Sequence, residues 1–219
     1  MNNEIVSQRN FWNSEADAFQ RIYTHQKPGL SNVLDRVFRK DMYERFVFTI
    51  ENCAPIQGRS FLDVGCGSGL YSMELAKKGA GHVTGLDIAE VMIGLCENAA
   101  KNEGVEDRCT FLHTDLLEYR PDRDFDVTIG IGLFDYIRDP LPVLKKMREV
   151  TTDKAILAFP RFWTWRAPIR KARLNLKGCD VFFYTRERID QLLKGAGFAR
   201  HEVTRVGKLH CVIAYSNKA

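Results

Sequence analysis

Three aspartates and three glycines are spaced so that together they could hold a ligand rich in oxygen atoms. Asp63, Gly65, Gly67 and Gly69 fall within F-L-D-V-G-C-G-S-G, residues 61–69. Phe61, Leu62 and Val64 form the short apolar run of a buried parallel strand, which puts Asp63 at a carboxyl end. The glycines then turn the chain tightly and leave bare backbone for a ligand to approach. Ser68 is placed to cap a following helix, in which Tyr71, Leu75 and Ala76 recur at helical spacing. Free N–H groups at that helix start favour ligand oxygens. Asp87 follows about twenty residues later, where a carboxylate can accept from both hydroxyls of a ribose. Asp115 and the Leu116 N–H can serve an adenine amine and a ring nitrogen. Each acid alone also reads as a helix cap, and the loop alone as an unliganded turn. A dinucleotide fingerprint G-x-G-x-x-G fails, because the sixth position from Gly65 is Leu70.

The elements that must carry these residues alternate. After the loop, strands read at His82–Leu86, Cys109–His113, Asp126–Ile131 and Lys154–Phe159. Helices read at Ala89–Asn102 and Pro140–Val150, the latter started by Asp139. Such alternation implies a parallel sheet with helices on both faces, whose ligands bind beyond the strands' carboxyl ends. Thr185 caps a further helix that Gly195 and Gly197 end. Phe198–Arg205 and Lys208–Tyr215 close the chain as an antiparallel hairpin. Upstream, Ser31 caps a helix to about Asn52, with Val33, Leu34, Val37, Phe38, Met42, Phe46 and Ile50 on its apolar stripe. Phe11, Trp12, Phe19 and Tyr23 share a broken helical face, read as core packing for most of them or as a lid over a ligand. Tyr23 and His25, beside the Pro28-Gly29 turn, are the two with polar tips to aim at a ligand.

An acid after each of the first three strands, in this order and spacing, resembles the class I S-adenosylmethionine (SAM) methyltransferases over roughly residues 59–159. The resemblance implies an α/β fold: a doubly wound, seven-stranded, mostly parallel Rossmann-like sheet with an N-terminal helical cap. It divides the chain into a cap, residues 1–54, and a SAM-binding domain, residues 55–219, with an insert at about 160–184. The cofactor set it implies is Asp63, Gly65, Cys66, Gly67, Gly69, Asp87, Ile88, Asp115, Leu116, Gly132 and Tyr23, with Asp63 at the methionine end and Ile88 on the adenine.

The fourth strand end, 130–136, should face the transferable methyl. A sulfonium is attracted to aromatic faces, so Phe134 and Tyr136 read as walls and Asp135 as a cap or an exposed acid. The Asn/Asp-Pro-Pro-aromatic motif of many nitrogen methyltransferases is absent, which argues against DNA bases and glutamine amides. Alignment supplies most of the rate of such a transfer, and a base is needed only when the nucleophile carries a proton. Tyr136 and His25 are the catalytic candidates. His113, His201 and His210 are further conceivable bases, with His113 reading as structural. Competing readings are an NAD- or nucleotide-dependent oxidoreductase, disfavoured by Leu70 and the lack of a Tyr-x-x-x-Lys pair, and a SAM-fold protein that binds without catalysis.

Arg161–Arg173 interleaves five cations with Phe162, Trp163 and Trp165 just past the fifth strand. It reads as a solvated helix, as a cover over a flat, anionic acceptor, or as a peripheral membrane contact. With Phe19-x-x-Ile22-Tyr23 and Phe183-Tyr184-Thr185-x-x-x-Ile189, it resembles the magnesium-protoporphyrin IX O-methyltransferases. That implies O-methylation of an acid-bearing or aromatic small molecule.

The remaining composition bounds the answer. The 219 residues suit one domain with a small appendage, and a net charge of +4 is too small to call for nucleic acid. No apolar run approaches a membrane span, and Met1-Asn2-Asn3-Glu4 is not a signal peptide. The six cysteines lie far apart with no C-x-x-C, so no metal site or disulfide framework is expected and a reducing cytoplasm fits. The sequence carries no signal for oligomeric state.

Overall fold

A computed structural model describes residues 6–13, 32–161 and 180–216. Residues 6–13 form helix α1, and Asn32–Asn52 form α2. The sheet and its helices follow as β1 (Ser60–Val64), α3 (Leu70–Lys77), β2 (His82–Asp87), α4 (Glu90–Glu103), β3 (Cys109–His113), β4 (Phe125–Gly130), α5 (Leu141–Glu149), β5 (Thr151–Pro160), α6 (Arg186–Ala196), β6 (Arg200–Val206) and β7 (Leu209–Tyr215). The sheet has seven strands in the order β3-β2-β1-β4-β5-β7-β6. Neighbours from β3 through β5 pair in parallel, while β7 runs antiparallel to both β5 and β6. All five parallel strands therefore end at one edge, where β6 also ends and β7 begins. The doubly wound, mostly parallel sheet read from the sequence is the one observed.

Strand alternation splits the core between the two sheet faces. Phe61, Ile129, Ile156 and Cys211 pack on one face with Leu75 of α3, Cys96 of α4 and Ile50 of α2. Leu62, Leu157, Phe159 and Val212 pack on the other with Leu144 and Met147 of α5 and Ile189, Leu192 and Leu193 of α6. Burial of each such side chain contributes about 1.5–3 kcal/mol before entropy is counted. Because both faces are covered, β1 and β5 read as continuous apolar runs.

Several boundaries differ for identifiable reasons. β5 begins three residues before its expected start, because Thr151 is buried with its hydroxyl bonded to the Met147 carbonyl and beside the Thr128 hydroxyl. Helix α3 is not capped by Ser68. Its N-cap is Gly69, at φ 78° and with no side-chain cap, so the tight turn takes precedence over capping. Thr185 does cap α6, accepting from the Arg188 N–H, and Gly197 ends it at φ 86°. Ser31, Phe19 and the side chains of 32–39 lie outside the described residues.

Candidate functional site

The ends of β1, β2 and β3 carry the three acids, and each is held by short-range bonds. Asp63 is buried and accepts from the Ser72 hydroxyl at 2.7 Å. Burial pushes its carboxyl up to about 7, against the lowering effect of that bond. Asp87 accepts from the Gly67 N–H and the Ala89 N–H, both at 2.9 Å. It thus ties the glycine loop to the start of α4. Burial raises its pKa, and those backbone bonds oppose the rise. Asp115 accepts from the Leu117 N–H with Oδ1, and among the described residues Oδ2 has no partner.

The loop between these acids is shaped by its glycines. Gly65, Gly67 and Gly69 have φ of 70°, 55° and 78°, a region that side-chain-bearing residues rarely adopt. At Gly69 a Cβ would also lie 3.1 Å from Cys96 Sγ and 3.2 Å from Met73 Cε, so the loop is closed on its inner side. The first turn of α3 carries no acidic residue, which leaves its positive end for a ligand. Cys66 turns its thiol inward, 3.9 Å from Cys96 Sγ, so only its backbone faces the loop. That pairing is hidden in the sequence by a separation of thirty positions. All five cysteines among the described residues are free. The arrangement fits an adenosine- and amino-acid-bearing cofactor: a bare turn, an uncompensated helix start, and acids at three successive strand ends.

The end of β4 departs from expectation in two places. Phe134 is no wall. It is fully buried and stacks on Phe159, with centroids 4.4 Å apart. The apolar face of the sheet draws it inward, and Tyr184 locks the turn by donating to the Phe134 carbonyl at 3.0 Å. Asp135 is buried rather than exposed, and its carbonyl accepts from the Phe182 N–H. Tyr136 remains at the edge, half-buried. Gly132 has φ 78°, with Arg45 of α2 beside it.

Helix α1, which the sequence placed mainly in the core, lies across these strand ends. Arg9 Nε donates to the Ile88 carbonyl at 3.1 Å, past the end of β2. Gln8 Nε2 donates to the Tyr136 carbonyl at 2.6 Å, past the end of β4. Trp12 meets Tyr136 edge-on at 5.0 Å and packs against Ala89 and Met92. The residues sequence reasoning missed are therefore Gln8 and Arg9, while Trp12 reads from the sequence as core packing or as part of a lid. The only signal for them was the Phe11-Trp12 aromatic pair. His113, at the end of β3, donates to the Ile88 carbonyl at 3.0 Å, which is a structural role. His201 pairs with Asp190 on α6, at 3.1 Å. Tyr23, His25 and residues 162–173 lie outside the described residues.

Among the described residues no group of three His, Cys, Asp or Glu could hold a metal, and no helix is long and apolar enough to cross a membrane. Among the described residues, two of the open grooves flank β6. One of about 590 Å³ runs between α6 and β6, and one of about 460 Å³ between α2 and the end of β6.

Comparison with known proteins places this geometry. The sequence model of a family described as a methyltransferase domain matches residues 57–197. A tRNA U34 carboxymethyltransferase of Haemophilus influenzae is 27% identical over 159 residues, 66% of this chain and 47% of its own length. A ubiquinone biosynthesis O-methyltransferase of Paracidovorax citrulli is 32% identical over 97 residues, 44% of this chain and 40% of its own length. The chain thus spans less than half the length of these curated relatives. The crystal structure of magnesium protoporphyrin IX methyltransferase from Synechocystis, with bound SAH, matches with a TM-score of 0.77 at 23% identity, covering 98% of this chain and 100% of that one.

Proposed function

The chain belongs to the methyltransferase-domain family, as a class I fold that uses SAM, and on that premise we propose that it methylates an oxygen of an anionic or aromatic small molecule in the cytoplasm. In this reading residues 1–54 cap the site and residues 55–219 hold the cofactor.

Bound SAM supplies an electrophilic methyl on a sulfonium. The protein's residues bind, orient and exclude water. Asp87 accepts from the ribose hydroxyls while keeping its bond to Gly67 N–H, since each carboxylate oxygen can accept more than one bond. Asp115 Oδ2 takes the adenine amine, with the Leu116 N–H beside it and Ile88 against the ring. Gly65, Gly67, Gly69 and the backbone of Cys66 shape the turn for the methionine end, with Asp63 beneath it. Gly132 leaves room at the end of β4, and the Tyr136 ring offers an electron-rich face to a sulfonium. Tyr23 and His25 remain proposals on sequence grounds. A carboxylate acceptor would need no base, whereas a phenol would call on one such as Tyr136 or His25.

The observation that carries the small-molecule reading is the α1 cover. Its bonds to Ile88 and Tyr136 bridge the cofactor end and the acceptor end, and such a roof suits an acceptor that can be enclosed. The names of the ubiquinone O-methyltransferase and of the porphyrin methyltransferase are in keeping with it, and that of the tRNA enzyme points the other way.

The test is methyl transfer from labelled SAM to a panel of aromatic carboxylates, phenols and unmodified tRNA. Turnover of an aromatic acid or phenol is expected, with Trp12→Ala lowering kcat/KM about tenfold through loss of orientation. Turnover of tRNA alone would overturn the reading.

A further inference from the structure

Several cations in this fold have a carboxylate partner. Arg59 pairs with Asp153 at 2.8 Å, Arg138 with Asp180 at 2.7 Å, Lys194 with Asp190 at 2.8 Å and Arg200 with Glu202 at 3.2 Å, and Lys208 pairs with Asp41 of α2. Others, among the described residues, do not, and one corner gathers several of them. Arg161 follows β5, Arg186 opens α6, Arg205 lies near the end of β6 and His210 near the start of β7. Among the described residues none of these four has a carboxylate within ion-pair distance.

The sheet register brings Arg161, Arg205 and His210 together, and a bridge between Arg161 and Tyr184 puts Arg186, two residues past Tyr184, at the same corner. His210 is the direct cross-strand neighbour of both Arg205 and Phe159. Directly opposed residues have Cβ atoms roughly 4.5–5.5 Å apart on one face. Two residues beyond Phe159, Arg161 falls on that same face. Its side chain reaches across the β6–β7 turn and donates from Nη1 to the Gly207 carbonyl at 3.2 Å, and its N–H donates to the Lys208 carbonyl at 3.0 Å. This fixes a half-buried guanidinium while leaving its remaining donors uncommitted. Burial, then the charges of Arg161 and Arg186, hold the His210 imidazole below its ordinary range. Arg205 adds to this, and Glu187 acts in the opposite sense.

The corner also has a functional address. It lies on the edge where the parallel strands end, and β5 is the neighbour of β4, whose end faces the methyl in the reading above. Adjacent strands are about 4.8 Å apart, so Arg161 is one strand from the methyl end and His210 two.

We propose that Arg161, Arg186, Arg205 and His210 form an anion-binding corner that takes a carboxylate or phosphate carried by the methyl acceptor, roughly 10 Å from the atom that is methylated. Uncommitted guanidinium donors match either anion, and an anion removes the mutual repulsion of the cluster. The proposal rests on the small-molecule reading only for the identity of what brings the anion.

The test uses the full chain and two probes, inorganic phosphate and acetate, titrated at constant ionic strength. The observable is the His210 ring resonance, assigned with His210→Gln. A saturable millimolar shift is expected with at least one probe, and the probe that gives it assigns the anion class. Arg161→Gln should weaken that binding at least tenfold. Because Arg161 also braces the turn, the double variant Arg186→Gln/Arg205→Gln, at two exposed positions, serves as a second arm and should weaken it by a similar factor. A shift that only tracks ionic strength, or one that both variants leave unchanged, overturns the corner. Neither probe is a methyl acceptor, so the corner can hold while the acceptor panel fails, or fail while the panel succeeds. Displacement of phosphate by a micromolar RNA stem-loop would overturn the small-acceptor assignment of the corner.

Discussion

The two halves of the carboxyl edge are built on opposite plans. Beyond β1, β2 and β3 stand three acids tied to nearby donors: Asp63 to Ser72, Asp87 to Gly67 and Ala89, Asp115 to Leu117. Beyond β5, β7 and β6 Lys208 pairs with Asp41, but Arg161, Arg186, Arg205 and His210 have, among the described residues, no carboxylate within ion-pair distance. The first half is organised before a ligand arrives, so little reorganisation is needed to bind. The second stores repulsion that a ligand would relieve. A cofactor shared by a whole family suits the first plan, and an acceptor specific to one member suits the second. Helix α1 joins the halves, with Arg9 at one and Gln8 and Trp12 at the other.

The harshest way to break this contrast is Gly67→Val. Gly67 sits at φ 55°, where a branched side chain is strained, and its N–H anchors Asp87. SAM binding should fall below detection, at least a hundredfold, while the far-ultraviolet spectrum stays native. Binding within tenfold of wild type would remove the loop from the site.

A second test addresses the cost of the organised half. With its carboxyl raised to about 7 by burial, Asp63 keeps a proton in the folded protein that the unfolded chain releases near 3.8. Its contribution to stability is full in acid and is lost as pH rises from about 4 through 7. Asp63→Asn, which can still accept from Ser72, should therefore flatten the decline in unfolding free energy between pH 5 and pH 8 by about 2–3 kcal/mol. Parallel stability profiles for the two proteins over that range would show that Asp63 carries no such charge cost.

What the sequence disclosed follows the same division. The loop was legible because Asp63 to Gly69 is one contiguous stretch whose backbone demands are local. Asp87 and Asp115 were legible because each βα unit repeats the same strand end. Ser68 was misjudged because a capping side chain and a left-handed turn compete for one helix start, and Gly69 holds it. Phe134 was misplaced because an aromatic at a strand end can face a ligand or the core, and only the presence of Phe159 and Tyr184 decides. The α1 contacts join residues 79 and 128 positions apart, and Arg161 reaches Gly207 across 46, separations that no local pattern records.

The most direct measurement is calorimetric titration of SAM into three proteins: wild type, Asp87→Ala and Arg161→Gln. The account predicts saturable binding to wild type. It predicts an affinity loss of about 1.5–3 kcal/mol for Asp87→Ala, the cost of hydrogen bonds to a charged acceptor, and a change of less than twofold for Arg161→Gln. Unchanged affinity in a folded Asp87→Ala protein, or equal losses in both variants, would contradict the division of the edge into a cofactor half and an acceptor half.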